Sequence, residues 1–163
     1  MRQTSIIRHK IYQLADLKTE VTRWKFIGKT IAFTNGCFDI LHEGHIASLS
    51  QAANEADILI VAVNSDASTK RLKGDSRPVN NEQSRSLLLA SLIMVDAVVI
   101  FEEDTPLNVI TTLEPDVLVK GGDYTINQIV GAKEVIASGG KVVINPNVPG
   151  FSTTGLIDKI TRL

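Results

Sequence analysis

The sequence predicts an α/β fold in which a doubly wound, five-stranded parallel sheet carries helices on both faces. Short apolar runs rich in β-branched residues recur along the chain. They are continuous rather than alternating, which is typical of strands covered on both faces. Segments with helical spacing of apolar residues lie between them. This alternation of strand and helix favours parallel strands joined by right-handed crossovers.

The elements follow from these patterns in chain order. The predicted strands are Thr30–Thr34, Ile58–Val63, Ala97–Phe101, Val117–Lys120 and Lys141–Ile144. The apolar residues that predict the inner helices are Ile46, Leu49, Ala53 and Ala56, then Leu88, Leu92 and Val95. A helix over 131–138 is closed by Gly139 and Gly140, and a last helix begins near Ser152. We predict an extra outer helix over 11–26, so that residues 1–27 form an N-terminal helical extension to a domain over 28–163.

Composition narrows the class of protein. The chain has 163 residues, 44% hydrophobic and 21% charged, with a net charge of −1 and one cysteine, Cys37. A balanced charge offers no basic field for nucleic acid and no polybasic membrane patch. The apolar runs are too short to span a bilayer, and no cleavable leader is evident. One cysteine and three histidines are too few for a closed zinc site. We therefore expect a cytoplasmic domain that binds neither nucleic acid nor a membrane.

Polar residues follow the predicted strands at their carboxyl ends, where ligands bind in open parallel sheets. After the first strand, His42 and His45 stand three residues apart at the start of a predicted helix. Free N–H groups and the positive dipole end at such a site favour an anion, and Gly44 permits its close approach. The alternative is that both histidines cap the helix or satisfy buried polar groups.

Two segments resemble signatures of one family. The run Gly36–His45 resembles the G-x-F-D-x-x-H-x-G-H motif of the cytidylyltransferase-like nucleotidyltransferases, and Phe151–Thr154 resembles their I-S-T-T helix start. The resemblance implies a Rossmann-like sheet in which both histidines contact nucleoside triphosphate phosphates and stabilise the transition state at the α-phosphorus. It also implies that the late hydroxyls form a second phosphate cradle. Taken alone, Ser-Thr-Thr is an ordinary helix cap.

Three further runs resemble one subfamily, the adenylyltransferase portion of ADP-heptose synthase. They are Lys70–Val79, Glu102–Pro106 and Lys120–Tyr124. The implied reaction joins ATP and a heptose 1-phosphate to give ADP-heptose and pyrophosphate, for lipopolysaccharide or another surface glycan. Mg²⁺ is expected to bind mainly through the ATP phosphates, without a carboxylate cage. The resemblance also implies a homodimer or higher homo-oligomer and, because no kinase-length segment is present, a separate heptose kinase acting upstream.

The resemblance assigns roles to individual residues. The implied catalytic residues are His42, His45 and Lys73; the nucleotide-binding residues are Gly36, Phe38, Gly44, Arg85, Ser152, Thr153 and Thr154; the substrate-binding residues are Lys120, Gly122 and Asp123; no protein metal ligand is implied. Plainer alternatives stand beside some of them. Lys73 is also consistent with a solvated loop lysine, Arg85 with a surface salt bridge, and Lys120 to Asp123 with a tight turn. Asp39 is expected to brace the loop.

Other functions share the same phosphate cradles. A cytidylyltransferase for glycerol 3-phosphate or another phosphorylated acceptor is the nearest alternative. Two departures weaken it: relatives of that type carry a lysine where this chain has Asp75 and an arginine where it has Asn147. A non-catalytic nucleotide-binding module is disfavoured by the intact histidine pair. A flavodoxin-like carrier is disfavoured by an aromatic content of only 5%.

Overall fold

The computed structural model describes residues 4–146 and 150–162. Its described strands form one parallel sheet: β1 (Ile11–Tyr12), β2 (Ile31–Gly36), β3 (Ile58–Asn64), β4 (Ala97–Phe101), β5 (Val117–Gly121) and β6 (Lys141–Asn145). The strands lie in the order β1-β4-β3-β2-β5-β6. From β2 the chain adds β3 and then β4 on one side of that strand. It then crosses over and adds β5 and β6 on the other side. The predicted doubly wound α/β fold is confirmed.

Helices connect the strands and flank the sheet. The described helices are α1 (Ile6–His9), α2 (Leu14–Phe26), α3 (Glu43–Ala53), α4 (Asp66–Lys73), α5 (Glu82–Ala90), α6 (Leu107–Leu113), α7 (Ala132–Ala137) and α8 (Thr153–Thr161), with a 3-10 turn at Ile126–Gln128. The apolar pattern missed α4, because its sequence is almost entirely polar. Its start is nevertheless marked by Ser65, whose hydroxyl oxygen accepts a hydrogen bond from the Ser68 N–H at 3.1 Å. None of the described helices is long and apolar enough to cross a membrane.

The opening segment corrects the predicted strand count from five to six. Ile11 and Tyr12 pair with β4 as a short edge strand, and the Val98 N–H donates to the Lys10 carbonyl at 2.7 Å. The helix therefore begins at Leu14 rather than at residue 11. A β-branched residue next to an aromatic one suits a strand better than a helix start. The division of the chain at residues 27 and 28 stays a prediction.

Side chains from the sheet build a core on each face. On one face Phe33 is buried against residues from α2, α6 and α7, including Leu17. On the other face Ala32 and Val61 pack against α3 and α5, where Leu49 and Leu89 are buried. Burial on both sides explains the continuous apolar strands, since the apolar residues of the central strands are almost all buried. It leaves the carboxyl edge of the sheet as the place where polar groups gather.

Gly140 is a position where packing forbids a side chain. A Cβ there would lie 2.7 Å from the Asp116 carbonyl oxygen and 2.7 Å from Cγ1 of Val135. We expect Gly140→Ala to lower the free energy of unfolding by about 2–3 kcal/mol, because backbone must move to make room. Urea denaturation measures the change. Gly139→Ala is the control: its φ of +86° is strained for alanine but its surroundings are open, so a cost of about 1 kcal/mol is expected. Equal costs at the two positions would contradict the packing argument.

Candidate active site

A cleft of about 710 Å³ lies at the carboxyl ends of the central strands. This volume is in the range of small-molecule sites. Most of the residues implied by the sequence line it: Gly36, Phe38, His42, Gly44, His45, Lys73, Lys120, Ser152, Thr153 and Thr154. The fold thus brings together groups that are more than a hundred residues apart in the chain.

The loop after β2 is held in shape by Asp39. This buried carboxylate accepts hydrogen bonds from the N–H groups of Val79 at 2.7 Å and Asn80 at 2.9 Å, and from Nε of Arg77 at 2.5 Å. Burial alone raises the pKa of Asp39, but these hydrogen bonds and the Arg77 charge outweigh it and hold the pKa below its ordinary value. Asp39 is therefore ionised at neutral pH and fixes the loop that leads into the histidines.

His42 and His45 stack on each other at the start of α3. Their ring centroids are 3.8 Å apart, and Nδ1 of each ring is buried with no hydrogen-bond partner among the described residues. Burial lowers the pKa of His42, and burial together with the neighbouring His42 lowers the pKa of His45 to about 4. Both rings are thus predominantly neutral at pH 7. A neutral imidazole keeps an N–H that can donate to a phosphate oxygen.

The N-terminus of α8 faces the histidine pair. Ser152 caps this helix by accepting from the Gly155 N–H at 3.0 Å, and the Phe151 ring stacks on the His42 ring with centroids 6.3 Å apart. Gly44 makes this approach possible, because a Cβ there would lie 3.1 Å from both the His42 ring and Cβ of Phe151. The positive ends of two helices therefore border one cleft, an arrangement that favours a polyanion.

Three cationic side chains line the same cleft. Lys73 is the last residue of α4 and is exposed, while Lys120 lies near the end of β5, where its Nζ donates to Oδ1 of Asn35 at 3.4 Å. Burial lowers the pKa of Lys120; Cys37 nearby opposes this shift and Lys73 adds to it. Arg77 is a cleft residue that the sequence prediction missed. No pattern singles it out in the sequence, because Lys70, Arg71 and Lys73 stand just before it.

Three residues with implied ligand contacts lie outside the cleft lining. Arg85 is fully buried and donates to the Cys37 carbonyl at 2.5 Å, the Asn80 carbonyl at 2.9 Å and Oδ1 of Asp66 at 2.7 Å. Gly122 is buried, with its N–H bonded to the Asn145 carbonyl at 3.0 Å, and Asp123 is exposed. Their contacts with ligands stay predictions. Asn147 lies outside the described residues.

The cleft carboxylates are already engaged. Asp39 holds Arg77 and two backbone N–H groups, and Asp104 pairs with Nε of Arg71 at 2.7 Å. Within residues 4–146 and 150–162 there is no cluster of three or more histidine, cysteine or acidic side chains suited to a metal ion. A cation at this site would therefore take most of its ligands from a bound phosphate chain and from water.

The depressed pKa of His45 is open to a direct test. We expect the ring proton signal of His45 to titrate in NMR spectra with a midpoint near 4, against an ordinary value of 6.5. As the pH falls, the unfolded chain binds this proton before the folded protein does. The free energy of unfolding therefore decreases between pH 6.5 and about 4, and this decrease is absent above pH 6.5. His45→Gln assigns the signal and removes that part of the loss. A midpoint at or above 6.5 would contradict the buried, neutral ring.

Fold and site together define a class. Two helix N-termini, a stacked pair of imidazoles and three cations converge at the carboxyl edge of a doubly wound sheet, where they can hold and neutralise a chain of phosphates. The comparisons agree with this class: the protein is a nucleotidyltransferase. The chain belongs to the cytidylyltransferase-like family, whose profile matches residues 33–159.

Curated relatives cover most of this chain. It is 56% identical over 145 residues to the "bifunctional protein HldE" of Rhodopseudomonas palustris strain HaA2, covering 89% of this chain and 30% of that protein. The protein of the same name from Rhodospirillum rubrum is 52% identical over 151 residues, covering 93% of this chain and 30% of the relative. The chain therefore spans about a third of the length of these relatives.

Solved structures share the fold. A "lipopolysaccharide core biosynthesis protein" from Thermoplasma volcanium superimposes with a TM-score of 0.59 at 30% identity, covering 74% of this chain and 98% of that one. A pantoate-beta-alanine ligase from Francisella tularensis superimposes with a TM-score of 0.58 at 16% identity, covering 94% of this chain and 78% of the ligase. The second likeness shows the sheet and its connections alone.

Proposed function

We propose that this nucleotidyltransferase is an adenylyltransferase that joins ATP to a heptose 1-phosphate and releases pyrophosphate, in the synthesis of lipopolysaccharide or another surface glycan. The observation that carries the proposal is the stacked pair His42 and His45 facing the N-terminus of α8 across one cleft. The choice of acceptor is supported by the likeness to HldE proteins and to a lipopolysaccharide core biosynthesis protein.

In the proposed reaction an oxygen of the sugar 1-phosphate attacks the α-phosphorus of ATP. The bond from that phosphorus to the bridging oxygen of the β-phosphate breaks, and pyrophosphate leaves with the electron pair. The nucleophile is already an anion near neutral pH, so the site needs no general base. Its residues instead align two anions and neutralise growing charge. His42 and His45 contact the reacting phosphate, while Ser152 and Thr153 hold the leaving pyrophosphate.

Mg²⁺ fits this cleft as an ion that comes with the nucleotide. When bound, it would supply positive charge to the phosphate chain. Because Asp39 and Asp104 are already bonded to other protein groups, phosphate oxygens and water are better placed than these carboxylates to coordinate the ion. On the protein side, the helix N-termini and Lys73 then complete the neutralisation of the triphosphate.

Pyrophosphate release tests donor and acceptor together. The wild-type protein is incubated with Mg²⁺ and one of four substrate pairs: ATP or CTP, each combined with heptose 1-phosphate or glycerol 3-phosphate. Release with ATP and heptose 1-phosphate alone, and its loss in His42→Ala, is the expected result. Release with CTP and glycerol 3-phosphate instead would make the chain a cytidylyltransferase. Binding of ATP without turnover of any pair would favour a nucleotide-binding module.

Two partner relations complete the proposal. Because the HldE relatives are bifunctional and this chain spans about a third of their length, we propose that a kinase activity elsewhere supplies the sugar 1-phosphate. We also propose a homodimer or higher homo-oligomer, as the family resemblance implies. Light scattering on the purified protein measures the assembly, and a monomer at micromolar concentration would contradict it.

A further inference from the structure

Arg77 is an arginine held in place by a buried carboxylate at the wall of the cleft. Its Nε donates to Oδ2 of Asp39 at 2.5 Å, and its side chain is only 14% exposed. The other oxygen of Asp39 accepts from two backbone N–H groups, so the carboxylate itself cannot turn. The guanidinium is therefore oriented before any ligand arrives.

The far end of this guanidinium is free to bind. Among the described residues, neither Nη atom of Arg77 donates a hydrogen bond to the protein, and Arg77 is part of the cleft lining. An arginine whose Nε is engaged still presents two Nη groups as a planar fork, which matches two oxygens of a phosphate. Pre-orientation lowers the entropy lost when such a fork binds.

Arg77 and α8 are connected to strands on opposite sides of β2. Arg77 lies in the segment between α4 and α5, which follows β3, whereas α8 follows β6 at the opposite side of β2. In an in-line displacement the nucleophile enters opposite the leaving group. If pyrophosphate leaves at α8, the acceptor phosphate enters from the β3 side, where Arg77 stands.

We propose that Arg77 is a substrate-binding residue whose Nη fork holds the phosphate of the acceptor, with Asp39 as its positioning residue. The proposal rests on the proposed function for the direction of transfer, but not on which phosphorylated acceptor is used. Lys73, on the same side of the cleft, adds charge without a fixed orientation, since it is exposed at the end of α4. Arg77 therefore offers the acceptor phosphate two hydrogen-bond donors in a fixed orientation, as well as a positive charge.

Steady-state kinetics of Arg77→Lys, Arg77→Gln and Asp39→Asn test the proposal with whichever acceptor wild type turns over. We expect the KM for the acceptor to rise about 10-fold in Arg77→Lys and about 30-fold or more in Arg77→Gln, because lysine keeps the charge but loses the fork. Asp39→Asn is expected to raise it several-fold. The KM for ATP is expected to stay within about twofold in both Arg77 variants. Arg23→Gln, which changes an exposed arginine on α2 outside the cleft lining, is the matched control.

Binding measurements separate this inference from the proposed function. Isothermal titration calorimetry measures the affinity for heptose 1-phosphate or glycerol 3-phosphate of protein that is saturated with a non-hydrolysable ATP analogue. Loss of binding of either acceptor in Arg77→Gln, with the analogue still bound, supports the inference even where heptose 1-phosphate is not the substrate. An unchanged acceptor affinity, a parallel loss of ATP affinity, or no binding of either acceptor by wild type would each overturn it.

Discussion

Replacement of His45 with alanine is expected to lower kcat for pyrophosphate release by about 10³-fold, with a much smaller change in the KM for ATP. The ring lies in the first turn of α3, stacked on His42 and edge-on to Phe38 at 5.4 Å between centroids. In the proposed reaction, this packing holds the imidazole where charge grows on the reacting phosphate. Its N–H therefore contributes more to the transition state than to the bound substrate.

The control for this result is His9→Ala, which removes an exposed histidine on α1 far from the cleft in sequence and fold. Its kcat is expected to match wild type within about twofold, as for surface changes in general. Circular dichroism confirms that both variants are folded. A loss of less than about 10-fold in His45→Ala would mean that the ring only fills space between α3 and the loop.

Replacement of Arg85 with leucine is expected to lower the free energy of unfolding by about 3 kcal/mol or more. The guanidinium is fully buried and joins three chain segments through the carbonyls of Cys37 and Asn80 and the carboxylate of Asp66. Leucine leaves both carbonyls without a donor. Urea denaturation monitored by circular dichroism measures the loss.

The same variant also tests the nucleotide contact that the family resemblance implies for Arg85. If Arg85 contacts nucleotide, the KM for ATP rises while stability stays close to that of wild type. If it braces the loop, stability falls first and kcat falls with it, because the Cys37 carbonyl belongs to the loop that carries the histidines. Arg23→Leu, at an exposed arginine of α2, is the matched control, with an expected stability change within about 0.5 kcal/mol.

Much of the fold and part of the site follow from local sequence. Runs such as Ile58 to Val63 predict buried strands because apolar β-branched residues suit a pleat covered on both faces. The strand ends then indicate where ligand groups collect, and most of the implied residues do line one cleft. The motif spacing predicts a histidine pair at a helix start, and the structure places both rings there.

Other features depend on contacts that no local pattern encodes. Ile11 and Tyr12 become a strand only because β4 offers them an unpaired edge. Arg85 is a polar residue in a polar helix start, and its complete burial results from three partners on separate segments. Arg77 gains its fixed orientation from Asp39, 38 positions earlier in the chain. Tertiary structure, rather than propensity, decides each of these cases.

The two-residue strand β1 has a consequence for how the protein behaves in concentrated solution. An uncovered β4 would present the backbone groups of Val98 and Val99 to any neighbouring chain that could add a strand. Ile11 and Tyr12 occupy those groups, and two residues are too few to serve as a template in their turn. By covering β4, the opening segment thus disfavours edge-to-edge aggregation on that side of the sheet.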